Sequence, residues 1–128
     1  MSEPLPCPFC TVPHDRILFE SDTALAIRDA FPVSPGHTLI VPRRHIASAV
    51  EATSEEFAAI WSLLAEVRAH TVRELKPDGF NVGINDGRAA GQTVMHLHVH
   101  LIPRFAGDCS DPRGGVRWVL PERARYWD

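Results

Sequence analysis

The 128-residue chain has no apolar run long enough to cross a bilayer or to serve as a signal peptide. The expectation is a cytoplasmic protein with no membrane partner. A basic excess is also missing. The formal charge of -3 at pH 7 argues against a nucleic acid polymer as partner, because that role needs a cationic surface to displace counterions from phosphates. A few local donors would still suffice for a small phosphorylated ligand. Cysteine is scarce, with Cys7 and Cys10 in "CPFC" and Cys109 alone, which makes no disulfide framework and fits a reducing compartment. No GxxxxGK[ST] is present, so a P-loop is excluded. The chain has no internal repeat, low-complexity tract or interdomain linker, and its length suits one compact domain over residues 1–128.

What is present reads as strands, one long helix, then strands. "RILFES" and "TALAIRDA" read as two short strands joined by a tight turn at Ser21-Asp22, and "TLIVP" is a third, well-buried strand after a Pro- and Gly-rich loop ending at His37. Thr53 followed by Glu56 is a capping-box pattern, and Phe57, Ile60, Trp61, Leu64, Val67, Thr71 and Leu75 recur at helical spacing. That helix stops near Lys76-Pro77. "GFNVGIN" resumes strand character, "DGRAAGQTV" is a Gly-rich loop, and "HLHVHLIP" is the last strong strand; residues 109–128 form a tail. The order predicts an α+β fold: an antiparallel-rich sheet of about five strands with the helix packed on one face.

Two motifs carry chemistry. In "HLHVHLIPR" the strand period of two puts His96, His98 and His100 on one face and Leu97, Val99 and Leu101 on the other. The apolar set is expected to face the helix, leaving the imidazoles on the open face. Roughly 13 Å separates the first ring from the third along an extended strand, too far for one ion to hold all three. The second motif is "CPFC", whose CxxC spacing suits two thiolates on one Zn²⁺ from a tight turn. Its Pro-rich setting lacks the strand-to-helix context of a thioredoxin-like redox pair.

The stretch "NDGRAAGQTVMHLHVHLIPRFAGD" resembles the histidine triad (HIT) family of nucleotide hydrolases and transferases. Upstream, "IRDAFPVSPGHTLIVPRRHI" is similar to the family's ribose-binding strand, loop and following strand. The resemblance implies a HIT-like fold with His98 as nucleophile on the α-phosphate of an adenine nucleotide and His100 at the phosphate near the scissile bond. A neutral imidazole suits that role, since histidine titrates near 6.5. It further implies substrate contacts from Asp29 to ribose hydroxyls, from His37 and Asn85 near the triad and phosphate path, and from Gly91, Gln92 and Thr93 of "GQTV". Zinc-containing bacterial members complete the CxxC pair with a "PRRH"-type histidine and the first triad histidine, giving a structural Zn²⁺ site of Cys7, Cys10, His45 and His96. The "DGxxAGQTV" loop resembles that of the fragile histidine triad branch, which lacks the cysteine pair. The implied activity is a hydrolase cleaving diadenosine polyphosphates or related adenylated compounds through a nucleotidyl-histidine, releasing a nucleoside monophosphate. Its alternatives are a purine nucleoside phosphoramidase and a slow-turnover nucleotide-binding module. Family members are homodimers, and a polyphosphate substrate leaves room for accompanying Mg²⁺ or Mn²⁺.

Overall fold

The computed structural model describes residues 7–128, so the first six positions of the expected domain, with their prolines, lie outside the described residues. Five strands form one antiparallel sheet: β1 (Ile17–Glu20), β2 (Ala24–Arg28), β3 (Thr38–Pro42), β4 (Gly79–Ile84) and β5 (Val99–Arg104). Their spatial order is β1-β2-β3-β5-β4, so the last strand inserts between β3 and β4. The helix α1 (Ser54–Leu75) connects β3 to β4, and a short α2 (Pro121–Ala124) lies in the tail. This is the expected α+β architecture.

Period two assigns the faces of the sheet. Ala24 and Ala26 of β2, Ile40 of β3, and Val99 and Leu101 of β5 pack with Ile60, Leu63, Leu64 and Val67 of α1. Burying each large aliphatic side chain of this set contributes about 1.5–3 kcal/mol. The opposite face carries Leu25, Ile27, Leu39 and Val41, with Phe9 and Val12 of the N-terminal segment and Ile17 of β1 packed against it. Because Leu39 pairs with His100, the triad strand presents its imidazole beside this second apolar cluster, on the face away from the helix.

Helix α1 starts where the capping box places it. The Glu56 amide donates to the Thr53 hydroxyl (3.0 Å) and the Thr53 amide donates back to the Glu56 carboxylate (2.9 Å). Two features of the helix differ from the pattern. Phe57 and Trp61 are 44% and 53% exposed and stack on each other, while Leu63 and Glu56 are buried in their place. The reason is that the contact stripe runs through 56, 60, 63, 64, 67 and 71, one position off the aromatic pair. Glu56 tolerates burial because Arg44 grips its carboxylate with two bonds, at 2.7 and 3.1 Å, which holds the carboxyl down at about 2. His70 is half-buried with its ring edge-on to Phe19.

The last strand is shorter than its alternation implies. Residues 96–98 precede β5, and only His100 of the three histidines lies within it. Here the chain is held by other bonds: the Leu97 amide donates to the Ile46 carbonyl, and the His96 and His98 rings each bond a backbone carbonyl. Leu97 is nevertheless buried with Val99 and Leu101 in the helix-facing core, so the apolar half of the pattern holds through the break in the ladder.

Candidate functional site: two histidine clusters joined through His96 and His98

Ring tautomers follow from the partners, since a carbonyl only accepts and a backbone amide only donates. His98 has Nδ1 at 2.8 Å from the His96 carbonyl, so Nδ1 carries the proton and Nε2 keeps its lone pair. No described residue bonds that Nε2. The ring is buried, at 8% exposure, and its centroid lies 5.2 Å from that of His100.

His100 sits at the end of a hydrogen-bonded relay. The Val33 amide donates to Nδ1 of His37 (3.1 Å), which places the His37 proton on Nε2. That proton points at Nδ1 of His100, 2.9 Å away, with an Asp29 carboxylate oxygen at 3.4 Å as a second acceptor. Since Nδ1 of His100 accepts, its own proton resides on Nε2. Burial holds both His37 and His100 below the ordinary imidazole range, opposed in each by the Asp29 carboxylate, so both rings stay neutral near pH 7. The arrangement therefore supplies a lone pair on one imidazole and an N–H donor on its neighbour. Asp29, His37 and His100 also converge closely enough to suggest a metal centre. The Val33 bond argues against one, because it leaves the His37 nitrogen in that cluster protonated and without a lone pair.

The backbone around His37 is tightly braced. Gly36 has φ +86°, and a Cβ there would come within 2.8 Å of Leu75 Cδ1. Arg28 donates to the Gly36 carbonyl and the Thr38 hydroxyl, both at 2.7 Å, and Ser34 donates to the Pro103 carbonyl at 2.7 Å. A rigid loop thus delivers His37 to His100.

The Gly-rich loop is positioned differently from expectation. Gln92 is 4% exposed and fully engaged: its amide donates to the carbonyls of Ala47 and Val94, and its carbonyl accepts from the Gly87 amide. Its side chain therefore ties the loop to the segment after β3 and has no free donor for a phosphate. Gly91 is exposed at φ +97° with open space where a Cβ would stand, so backbone conformation, not close approach, calls for glycine. Thr93 is exposed on this loop. Asn85 directly follows β4, whose last pair with β5 is Ile84–Val99.

On the other side of His96 lies the second cluster. Sγ of Cys7 and of Cys10 are 3.4 and 3.6 Å from Nδ1 of His96, while Nδ1 of His45 is 3.2 Å from Cys10 Sγ and 3.1 Å from Nδ1 of His96. For a tetrahedral zinc ion with ordinary bond lengths the ligand-to-ligand edges are about 3.3–3.8 Å, so the four donors are spaced to hold one. His96 is preset for it: Nε2 donates to the Pro42 carbonyl at 2.7 Å, which aims the Nδ1 lone pair at the cluster. The Arg44–Glu56 bridge ties the segment carrying His45 to the helix N-terminus. Sequence reasoning missed two participants: Phe9, whose ring touches both His96 and His98, and Glu56, whose capping-box signal carries no hint of its second bond to Arg44.

A Dictyostelium discoideum protein named bis(5'-adenosyl)-triphosphatase is 35% identical over 71% of this chain and 61% of its own length. An Arabidopsis thaliana protein named adenylylsulfatase is 36% identical over 80% of this chain and 54% of its own. Among solved structures, a Zn-bound histidine triad family protein from Mycobacterium smegmatis superposes with a TM-score of 0.71 at 36% identity, covering 80% of this chain and 77% of that one. Residues 11–107 match the HIT domain, and the chain belongs to that family.

Proposed function

We propose that this HIT protein is a nucleotidyl hydrolase acting on diadenosine polyphosphates or related adenylated compounds. The observation that carries the reading is the complementary pair of tautomers at His98 and His100. The Nε2 lone pair of His98 attacks the α-phosphorus, and the bond from phosphorus to the leaving oxygen breaks as that oxygen departs with the electron pair, its negative charge met by a hydrogen bond from His100 Nε2–H. Water then attacks phosphorus, its oxygen forming the new P–O bond and its surplus proton passing to solvent. Cleavage of the N–P bond releases the nucleoside monophosphate and restores the His98 ring. Splitting one displacement into two, with the hydrogen-bond donor already placed, is how such a site lowers its barrier. Asp29 keeps lone pairs to accept from ribose hydroxyls, while Asn85, Gly91 and Thr93 border the phosphate path. Gln92 holds the loop's shape, and His37 fixes the proton on His100.

Zinc held by Cys7, Cys10, His45 and His96 would be a closed structural site, cross-linking the N-terminal segment to the sheet. The Zn-bound mycobacterial structure supports this assignment to a bacterial zinc-containing branch. The relative named bis(5'-adenosyl)-triphosphatase supports a dinucleoside polyphosphate, and the one named adenylylsulfatase supports an adenylyl substrate with another leaving group. A homodimer through β4 is supported by that strand's place at the sheet edge, where Val82 and Ile84 are 36% and 39% exposed. Among the described residues no helix is long and apolar enough to cross a membrane.

Intact-protein mass spectrometry after rapid quench at neutral pH tests the reaction class. The expected result is a nucleotidyl adduct lost in His98→Ala. Turnover of diadenosine triphosphate, adenylyl sulfate and adenosine phosphoramidate, compared side by side, sorts the leaving group. Binding of adenosine monophosphate without adduct or turnover, unchanged in His98→Ala, would replace the enzyme by a binding module.

A further inference from the structure

We propose that Phe9 is a positioning residue for His98, and that metal bound at the Cys7–Cys10 turn sets the nucleophile's orientation through it. The inference rests on the zinc and hydrolase readings above and adds a link between them.

Phe9 is the residue just before Cys10 in the turn that carries two of the four donors, a turn closed by the Cys10 amide donating to the Cys7 carbonyl at 3.2 Å. Its ring lies edge-on to His96, centroids 5.8 Å apart, and tilted against His98 at 5.2 Å. The same ring packs on the apolar cluster of Leu25, Ile27, Leu39 and Val41, which fixes its base. His98 is therefore wedged between Phe9 and His100, both at 5.2 Å. Among described residues its only hydrogen bond runs from Nδ1 to the His96 carbonyl. One hydrogen bond fixes the direction of one ring nitrogen and leaves the ring free to pivot about it; a packed wall on one side removes that freedom.

The cluster thus reaches the nucleophile by two routes. His96 gives its side chain to the donor set and its carbonyl to His98. The Cys7–Cys10 turn gives two sulfurs to the donor set and a ring to His98. Without a cation, nothing covalent or coordinate ties that turn to His45 and His96, and the wall can swing away with it. The metal never touches substrate in this scheme, and its contribution to the reaction is made through the positions of Phe9 and of the His96 carbonyl.

The test uses the full-length zinc-loaded protein and three readouts: bound zinc by elemental analysis, the ring signals of His98 in ¹⁵N-edited NMR, and kcat and KM on the best adenylated substrate. Phe9→Leu keeps an apolar side chain in place and removes the flat wall; Phe9→Tyr keeps the wall. Phe9→Leu is expected to retain one zinc per chain and the wild-type KM, to shift or broaden the His98 ring signals, and to lower kcat by about tenfold or more, the scale on which small misplacements of reacting groups act. Phe9→Tyr is expected to restore both signals and rate. Chelation should shift the His98 signals less in Phe9→Leu than in the wild type, because in the variant only the His96 route remains for the metal to act through. Zinc-loaded Phe9→Leu with unchanged His98 signals and kcat overturns the proposal alone. Failure of the wild type to hold zinc overturns it together with the metal reading. His98 signals that move on chelation in a protein with no turnover support the link and refute the hydrolase reading instead.

Discussion

Removing the His37 imidazole tests the relay most directly. His37→Leu deletes two bonds, the Val33 amide to Nδ1 at 3.1 Å and Nε2–H to His100 at 2.9 Å. A buried donor left without an acceptor costs about 1–3 kcal/mol and a lost internal bond about 1 kcal/mol, so the variant should be about 2–4 kcal/mol less stable. The catalytic effect is separate and smaller than that of losing a catalytic group. The bond from His37 biases the proton of His100 toward Nε2 by about 1–1.5 kcal/mol, which corresponds to about a tenfold preference. Losing a tenfold preference takes the Nε2–H form from about nine-tenths of the molecules to about one half, so kcat should fall about twofold with KM little changed, since only the population able to donate a hydrogen bond to the leaving oxygen is altered. Histidine ring ¹⁵N shifts give the second readout: in the wild type, Nδ1 of His100 should be unprotonated and Nε2 protonated, and in His37→Leu the two forms should mix. A protonated Nδ1 at His100 in the wild type refutes the reasoning outright. A kcat loss of three orders or more would mean that His37 acts on substrate itself.

Three further outcomes follow from the same geometry. Burial lowers the affinity of His37 and His100 for protons in the folded state, so the unfolded chain binds more protons below about pH 6.5, and stability should be full above that value and decline as pH falls through it. Glu56, held at about 2 by Arg44, adds a second loss as pH drops from about 4.5 toward 2; a urea midpoint constant from pH 7.5 to 5.5 would contradict the first stage. Stripping zinc with a chelator should lower Tm, and excess zinc should restore it, adding about 4 kcal/mol of stability when free metal stands at about 1,000 times Kd; a Tm indifferent to metal would count against the Cys7, Cys10, His45, His96 assignment. Gly36→Ala combines left-handed backbone, about 1–2 kcal/mol, with a 2.8 Å contact to Leu75, and should cost about 2–4 kcal/mol by denaturant unfolding, whereas Gly87→Ala, equally left-handed but in open space, should cost only the backbone share.

The sequence by itself determined the elements and the division of faces. Local signals do this: the Thr53–Glu56 box starts α1, a continuous apolar β-branched run makes β3, and Leu97, Val99 and Leu101 reach the helix-facing core as their spacing requires. The HIT motif singled out the three histidines, and the family match extends over residues 11–107. Alternation alone overextended the last strand, because His96 and His98 are held by ring-to-carbonyl bonds that period two does not encode. The helix stripe was misread at Phe57 and Trp61 for a related reason: which apolar residues face inward depends on where the sheet meets the helix.

Tertiary structure alone decided which nitrogen of each ring carries a proton. That choice rests on partners far away in the chain, His37 beside His100 and Pro42 beside His96, and on the Val33 amide that a rigid loop points at His37. The spacing of the four metal donors and the seat of Phe9 against His98 have the same origin, since they join segments that meet only when the sheet closes. A sequence names the side chains that can do chemistry, but proton positions and ligand distances are set by three-dimensional neighbours, and those exist only in the folded chain.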